Sequence, residues 1–209
     1  MVFSDKQTLL DKLRPNVVIR KDKTSGYVVA STSWDRIGGT DVNAVALVKL
    51  SNSLTVQWNK KFGMAGGHSQ TFDILVDNDG NYLLGGHTTV GSGVVNWDYL
   101  ALKVDPSGNL IWRKTFGQPR GFDARCVHSK EFYHKTIYER NHFISSYIHD
   151  EMYSVQLDSS GNYLLLGGSG DEYAYSKSCN GWSSDIWVSY LVVLDTAVNK
   201  KLANERHIL

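Results

Sequence analysis

Proline, cysteine, long apolar runs and any excess of one charge are all scarce in this chain of 209 residues. Only 3 prolines interrupt it, so nearly every backbone N–H is free to join a hydrogen-bond ladder. Two cysteines, Cys126 and Cys179, are too few for a disulfide scaffold. They fit a reducing compartment or one bridge, and their number does not choose between these. Lys plus Arg is 22 against 21 Asp plus Glu, a net charge of +1, which excludes the electrostatic footprint of a nucleic-acid binder. No apolar run approaches the roughly 18 residues of a membrane span. The opening MVFSDKQTLLDKLRP has acidic residues and no apolar h-region. It does not read as a signal peptide, so the default expectation is cytoplasmic.

What the chain does have is aromatic and glycine content: 6 Trp, 11 Tyr and 19 Gly. With so little proline this predicts a β-rich protein. At this length about 70% of the unfolded surface can be buried without metal or disulfide staples.

The same order of features occurs three times. The clearest unit reads TFDILVD, NDG, NYLLGG, a polar loop, WDYLALKVD, PSGN, LIWRKTFG, from Thr71 to Gly117. Upstream stand NVVIRKD, TSG, YVVASTS, NAVALVKL and TVQWNKKFG. Downstream stand MYSVQLD, SSG, NYLLLGG and DIWVSYLVVLD. Tyr27 and Tyr82 are 55 residues apart, and Trp58 and Trp112 are 54 apart. Each unit divides into four short runs of Val, Leu, Tyr and Trp bounded by Gly, Asn, Asp and Ser, which predicts four strands. Asp77-Asn78-Asp79-Gly80, Asp105-Pro106-Ser107-Gly108 and Asp158-Ser159-Ser160-Gly161 predict hairpin turns. In each, the Asp carboxylate accepts turn N–H groups and the Gly takes positive φ. The EF-hand spacing of oxygen ligands is absent, so these are not read as Ca²⁺ loops. NYLLGG is apolar on both faces and predicts a strand buried between two sheets. Its Gly pair suits close backbone approach.

This run resembles the divergent bacterial-type propeller repeats of secreted and surface proteins. Their pattern is D-G-x-Y, an apolar strand, then K-x-D-x-x-G and a closing W-x-x-x-x-G. It also resembles kelch repeats, in which an apolar strand ends in Gly-Gly and a Trp closes the unit. The first unit lacks the Gly-Gly, and the third lacks the closing Trp and Phe-Gly. The resemblance implies an all-β, β-propeller-like array of three four-stranded antiparallel blades. It implies nothing specific about activity, because propellers host binding, scaffolding and catalysis alike.

The expected organisation is an N-terminal helix or cap over residues 1–15 and a first blade over 16–63. A second blade covers 68–117, an insertion 118–150, and a third blade with a degraded last strand 151–209. Phe132, Tyr133, Thr136, Ile137, Arg140, Phe143, Ile144 and Tyr147 form a rough helical stripe, so the insertion is expected to be partly helical. It holds four of the seven histidines, His128, His134, His142 and His149, beside Cys126. None has ligand spacing typical of zinc, and neither a metal nor a cofactor is expected. Three blades are fewer than the four to eight or so of a closed ring. A longer parent protein, self-association through the open blade ends, or capping by the extra segments would each account for this.

Each unit carries a Trp in or just after the loop between its second and third strands, followed by an acidic residue. These are Trp34 with Asp35, Trp97 with Asp98, and Trp182 with Asp185. In a propeller such loops gather on one face, where aromatic platforms beside carboxylates hold a sugar, a cation or a peptide. The same residues also suit packing between blades. No catalytic constellation stands out. The expectation is therefore a non-enzymatic interaction module that binds a protein or glycan through one loop face. The alternatives are a carboxylate-dependent hydrolase or lyase, and a structural piece of a larger assembly.

Overall fold

The turns form as the Asp-x-x-Gly pattern requires. The Asp77 carboxylate accepts the backbone N–H groups of Asp79 and Asn81, each at 2.9 Å, while Gly80 N–H donates to the Asp77 carbonyl at 3.1 Å. Asp105 and Asp158 repeat this arrangement. Gly80, Gly108 and Gly161 have φ of 83°, 84° and 80°. The turns at Ser51–Thr55 and Asp195–Asn199 adopt the same hydrogen bonding without glycine, with Leu54 and Val198 at φ 61° and 64°.

Between these turns run the strands of a computed structural model that describes residues 16–89, 97–117, 122–132, 135–145, 149–170, 183–184 and 188–206. The first sheet orders β1 (Val18–Lys21), β2 (Tyr27–Ile37), β3 (Thr40–Leu50) and β4 (Val56–Phe62). The second orders β5 (Ser69–Val76), β6 (Tyr82–Thr88), β7 (Asp98–Val104) and β8 (Leu110–Phe116). After β9 (Phe122–Phe132) and β10 (Lys135–Ser145), the third sheet orders β11 (His149–Leu157), β12 (Tyr163–Gly170), β14 (Val188–Leu194) and β15 (Lys200–Arg206). A short β13 (Ser183–Ser184) joins β9 and β10 in a small separate sheet. All pairings are antiparallel.

The three large sheets repeat to the level of register. Tyr27, Tyr82 and Tyr163 open their second strands opposite Leu50, Val104 and Leu194. A bulge in every fourth strand, at Gln57, Ile111 and Lys201, falls opposite Lys49/Leu50, Lys103/Val104 and Val193/Leu194. The first strands of the second and third sheets carry another bulge, at Thr71/Asp73 and at Met152/Ser154. There the Gly pairs explain themselves. A methyl on Gly86 would lie 1.9 Å from the Gln70 carbonyl oxygen, and one on Gly167 would lie 1.9 Å from that of Glu151.

The sheets stack face to face. Val28, Ala30, Val45 and Leu47 of the first meet Ile74, Tyr82, Leu84, Leu100 and Leu102 of the second. Leu83, Tyr99 and Ala101, on the second sheet's other face, meet Met152, Val155, Leu165, Tyr190 and Val192 of the third. Every residue of β6 is buried, as an apolar strand between two sheets should be. The described residues show three stacked sheets and do not form a closed ring.

One correction and two gaps follow. The insertion is not helical where it is described: β9 and β10 form a hairpin pairing Lys135 with Phe132 through to Ser145 with Phe122. The stripe of Phe, Tyr, Thr and Ile that suggested a helix is equally a set of strand formers, and cross-strand pairing decides between the two. No helix occurs among the described residues. The last unit, which lacks the closing Trp, ends in β15 with Leu202 at the register position of Trp58 and Trp112. The proposed helix over residues 1–15 lies outside the described residues. So do the side chains of Cys126 and Cys179.

Charged clips cross both joints. Tyr82 Oη donates to the Asp22 carboxylate at 3.1 Å, and Asp22 pairs with Lys49. Tyr163 Oη donates to Asp77 at 3.2 Å, and Lys103 Nζ lies 2.9 Å from Asp77 and 2.7 Å from Tyr163 Oη. Burial alone would raise the Asp22 carboxyl. The Lys49 ammonium and the hydrogen bonds from Thr24, Ser25 and Tyr82 outweigh it and hold Asp22 well below the usual carboxylate range. Asp77 is depressed in the same way, burial being outweighed by Lys103, the Asn81 N–H and Tyr163.

Lys49 is 7% exposed, so Lys49→Met should destabilise the protein by about 3 kcal/mol in urea unfolding, because it strands a buried carboxylate. Adding Asp22→Asn should recover most of that loss. Carboxyls with depressed folded pKa values stabilise above the unfolded value and lose that contribution as pH falls. Unfolding free energy should therefore drop below about pH 4, the ordinary carboxyl value being 3.8. The drop should be shallower in an Asp22→Asn/Asp77→Asn variant.

Candidate functional site

An antiparallel meander puts its first and third turns at one end and its second loop at the other. The Asp turns and clips therefore occupy one end of the stack. The loops between second and third strands, and the connections leading to the next sheet, occupy the opposite end. The candidate residues stand at this loop end.

Trp34 does not sit in a loop. It lies within β2, opposite Asn43, and is 49% exposed. The His68 ring meets it edge-on at 6.4 Å, and its carbonyl accepts Lys61 Nζ at 2.5 Å. Trp97 immediately precedes β7 and packs on His87, with centroids 4.5 Å apart at 72°. The two tryptophans are not equivalent. Trp97 stands six residues before the clip lysine Lys103, and Asn43 holds that place before Lys49.

Asp35 and Asp98 differ in their surroundings. A Cβ on Gly117 would lie 2.5 Å from the Asp98 carboxylate, so that glycine leaves room for the aspartate, whereas one on Gly63 would meet Ile37 Cδ1 at 2.6 Å and Asp35 only at ordinary contact distance, 3.5 Å. Asp150 closes in from the third sheet, its Oδ2 at 3.2 Å from the same Gly117 position, and its N–H donates to the Trp97 carbonyl at 2.6 Å. Asp150 is 1% exposed. Trp182 and Asp185 lie outside the described residues. Between them β13 pairs Ser183 with Val127 and Ser184 with Cys126, so the third unit's loop backbone meets the insertion hairpin.

The structure adds residues that the loop pattern missed. Phe72 and Tyr153 are the extra residues at the two first-strand bulges, and a bulge re-aims its side chain. Their rings meet at 5.6 Å and 78°, and Phe72 lies 4.7 Å from His87. Tyr153, Phe72, His87 and Trp97 thus form one aromatic row across the second and third sheets. Its outer member Tyr153 is 51% exposed and donates to the Glu151 carboxylate. A signal was present: Phe72 and Tyr153 both stand five residues before the turn aspartates Asp77 and Asp158.

Behind the row, Asp73 links all three first strands. It accepts Arg20 Nη2 at 2.7 Å from the first sheet, and Val155 N–H at 3.1 Å and Ser154 Oγ at 3.3 Å from the third. Tyr99 donates to the Tyr190 carbonyl at 2.8 Å; burial, reinforced by the Asp150 charge, raises its pKa. Among the described residues no three His, Cys, Asp or Glu side chains are grouped so as to hold a metal ion. None forms a helix long and apolar enough to cross a membrane.

No protein-family model matches the chain, and no curated protein matches it. Among solved structures it is similar to a hypothetical protein from Leishmania major, at 13% identity over 93% of this chain and 68% of that one. The TM-score of 0.31 is too low to carry an argument about ring closure or function.

The exposed and packed members of this end should separate in unfolding experiments. Trp34→Ala should cost about 1 kcal/mol or less, as for a residue 49% exposed at the sheet surface. Trp97→Ala, which removes a half-buried ring from the row, should cost about 2 kcal/mol or more.

Proposed function

We propose that the chain is a non-enzymatic binding module that holds a protein or glycan partner at the loop end of its sheets. The observation that carries this reading is the aromatic row Tyr153–Phe72–His87–Trp97, open to solvent at Tyr153. Exposed rings offer apolar faces to sugar C–H groups, aliphatic side chains and cations at a low cost in conformational entropy. The Glu151 carboxylate beside Tyr153 adds an acceptor for a partner hydroxyl or amine. Trp34 places a second exposed ring at the same end of the neighbouring sheet.

The hydrolase alternative needs a carboxylate pair that can reach a substrate. Asp98 and Asp150 come together at Gly117, but Asp150 is buried and its geometry serves the joint between the second and third sheets. The site therefore supports recognition better than acid–base chemistry.

Glycan and peptide arrays probed with the wild-type chain identify candidate ligands. For any ligand found, Tyr153→Ala combined with Trp34→Ala should weaken binding at least about tenfold, the loss of one good aromatic contact, with the fold intact by circular dichroism. Undiminished binding by that double variant would show that the row is structural.

A further inference from the structure

We propose that a small oxyanion, a carboxylate, phosphate or sulfate group, docks on Arg113 at the joint between the first and second sheets. Arg113 lies on β8 opposite Leu102, whose side chain belongs to the core shared with the first sheet. Its guanidinium is therefore directed into that joint, and the residue is half-buried. One N–H is matched: Nη2 donates to Ser69 Oγ at 2.8 Å. The Nε hydrogen is buried and meets no acceptor. No carboxylate pairs with the cation among the described residues.

The carboxylates that lie between these sheets are committed elsewhere. Asp73 is held by Arg20, Asp77 by Lys103 and Asp22 by Lys49. Asp98 shares a rung with Ser69 and Thr88 but turns its carboxylate to Gly117 and Asp150. The hydroxyls beside the guanidinium also run one way. Thr88 Oγ1 donates to the His68 carbonyl at 2.9 Å, so the 3.0 Å contact between Ser69 and Thr88 is filled by the Ser69 hydrogen. Ser69 Oγ is then left as an acceptor for Arg113. These hydroxyls relieve one donor of the five and supply no charge.

A half-buried cation with no ion-pair partner and an orphaned buried donor is an unfavourable arrangement. Burial lowers the Arg113 pKa, in keeping with the geometry. A planar fork of N–H groups is matched by an oxyanion, which supplies both the missing acceptor and the missing charge. Arg113 is peculiar to the second sheet: Asn59 and Ala203 hold the corresponding positions in the first and third. The proposal therefore concerns one joint, and it is independent of the aromatic row.

The test titrates acetate, phosphate and sulfate against chloride at matched ionic strength. It follows the melting temperature and the Arg113 ¹⁵Nε resonance of the wild-type chain. One of the three should raise the melting temperature by about 5–10 °C at a hundredfold excess over its Kd and should move the Nε resonance. Which ion acts identifies the ligand group as carboxylate, phosphoryl or sulfuryl. Arg113→Gln should abolish the response, and Arg113→Lys, which keeps the charge but loses the fork, should weaken it at least tenfold. The proposal is overturned if all anions follow ionic strength alike, if Arg113→Gln responds as the wild type does, or if the Nε resonance stays fixed. That last reading needs no variant, so it decides the matter even if Arg113→Gln fails to fold.

Discussion

The contact on which the stack depends is a tyrosine hydroxyl that reaches across from one sheet to a buried aspartate in the sheet before it. Tyr82 does this to Asp22 and Tyr163 to Asp77, and each aspartate is neutralised by a lysine from its own third strand. A buried ion pair is not by itself a large source of stability, because desolvation cancels much of the attraction. Its value here is registration. Apolar sheet faces slide and rotate at little cost, whereas a hydroxyl that must find one carboxylate does not. The clips set the sheets in one relation, and the apolar clusters between them supply the cohesion. Val193 takes the lysine position in the third sheet, so the device serves the two joints described and is not rebuilt on that sheet's outer face.

Setting the clips at the turn end leaves the loop end free for other uses. There the first-strand bulges push Phe72 and Tyr153 out of the regular alternation and toward each other. The glycines opposite the bulges make this possible, since Gly86 and Gly167 admit a carbonyl where any side chain would stand. Backbone irregularity, aromatic row and Gly-Gly signature are thus one feature seen at three levels. The recognition surface proposed for this end is a product of the same bulges that let neighbouring first strands share Asp73.

Much of this could be read in the residues before the structure. The turn aspartates, the doubly buried strand at NYLLGG and the fourfold division of each unit follow from local chemistry that the fold leaves intact. What was misread and what went unread share a cause. Leu54 and Val198 adopt the turn geometry without the glycine that announces it, because turn hydrogen bonds and flanking strands enforce a positive φ that sequence alone disfavours. The insertion's helical stripe was a strand pattern whose partner lay in the same segment. Trp34 and Trp97 looked alike because each stands next to an aspartate, yet Trp34 lies inside the ladder of β2 and Trp97 stands just before β7. Arg113 carried no signal, since a lone basic residue on an outer strand looks solvated until its face is known.

The second sheet is covered on both faces, and this bears on how the molecule moves. It contributes to both large cores, and every residue of β6 is buried. Opening it alone would expose two apolar faces and break both clips, whereas opening the first or third sheet exposes one face and breaks one. In a linear array with nearest-neighbour coupling, excursions from the native state then begin at the flanks, and the middle follows only when a flank has already gone. The aromatic row spans the boundary between the second and third sheets, so half of it is anchored in the slowest-opening part of the molecule. The other half rides on a part that breathes. Any ligand that bridges Phe72 and Tyr153 would therefore act as a brake on that breathing, drawing the third sheet's motions toward those of the second.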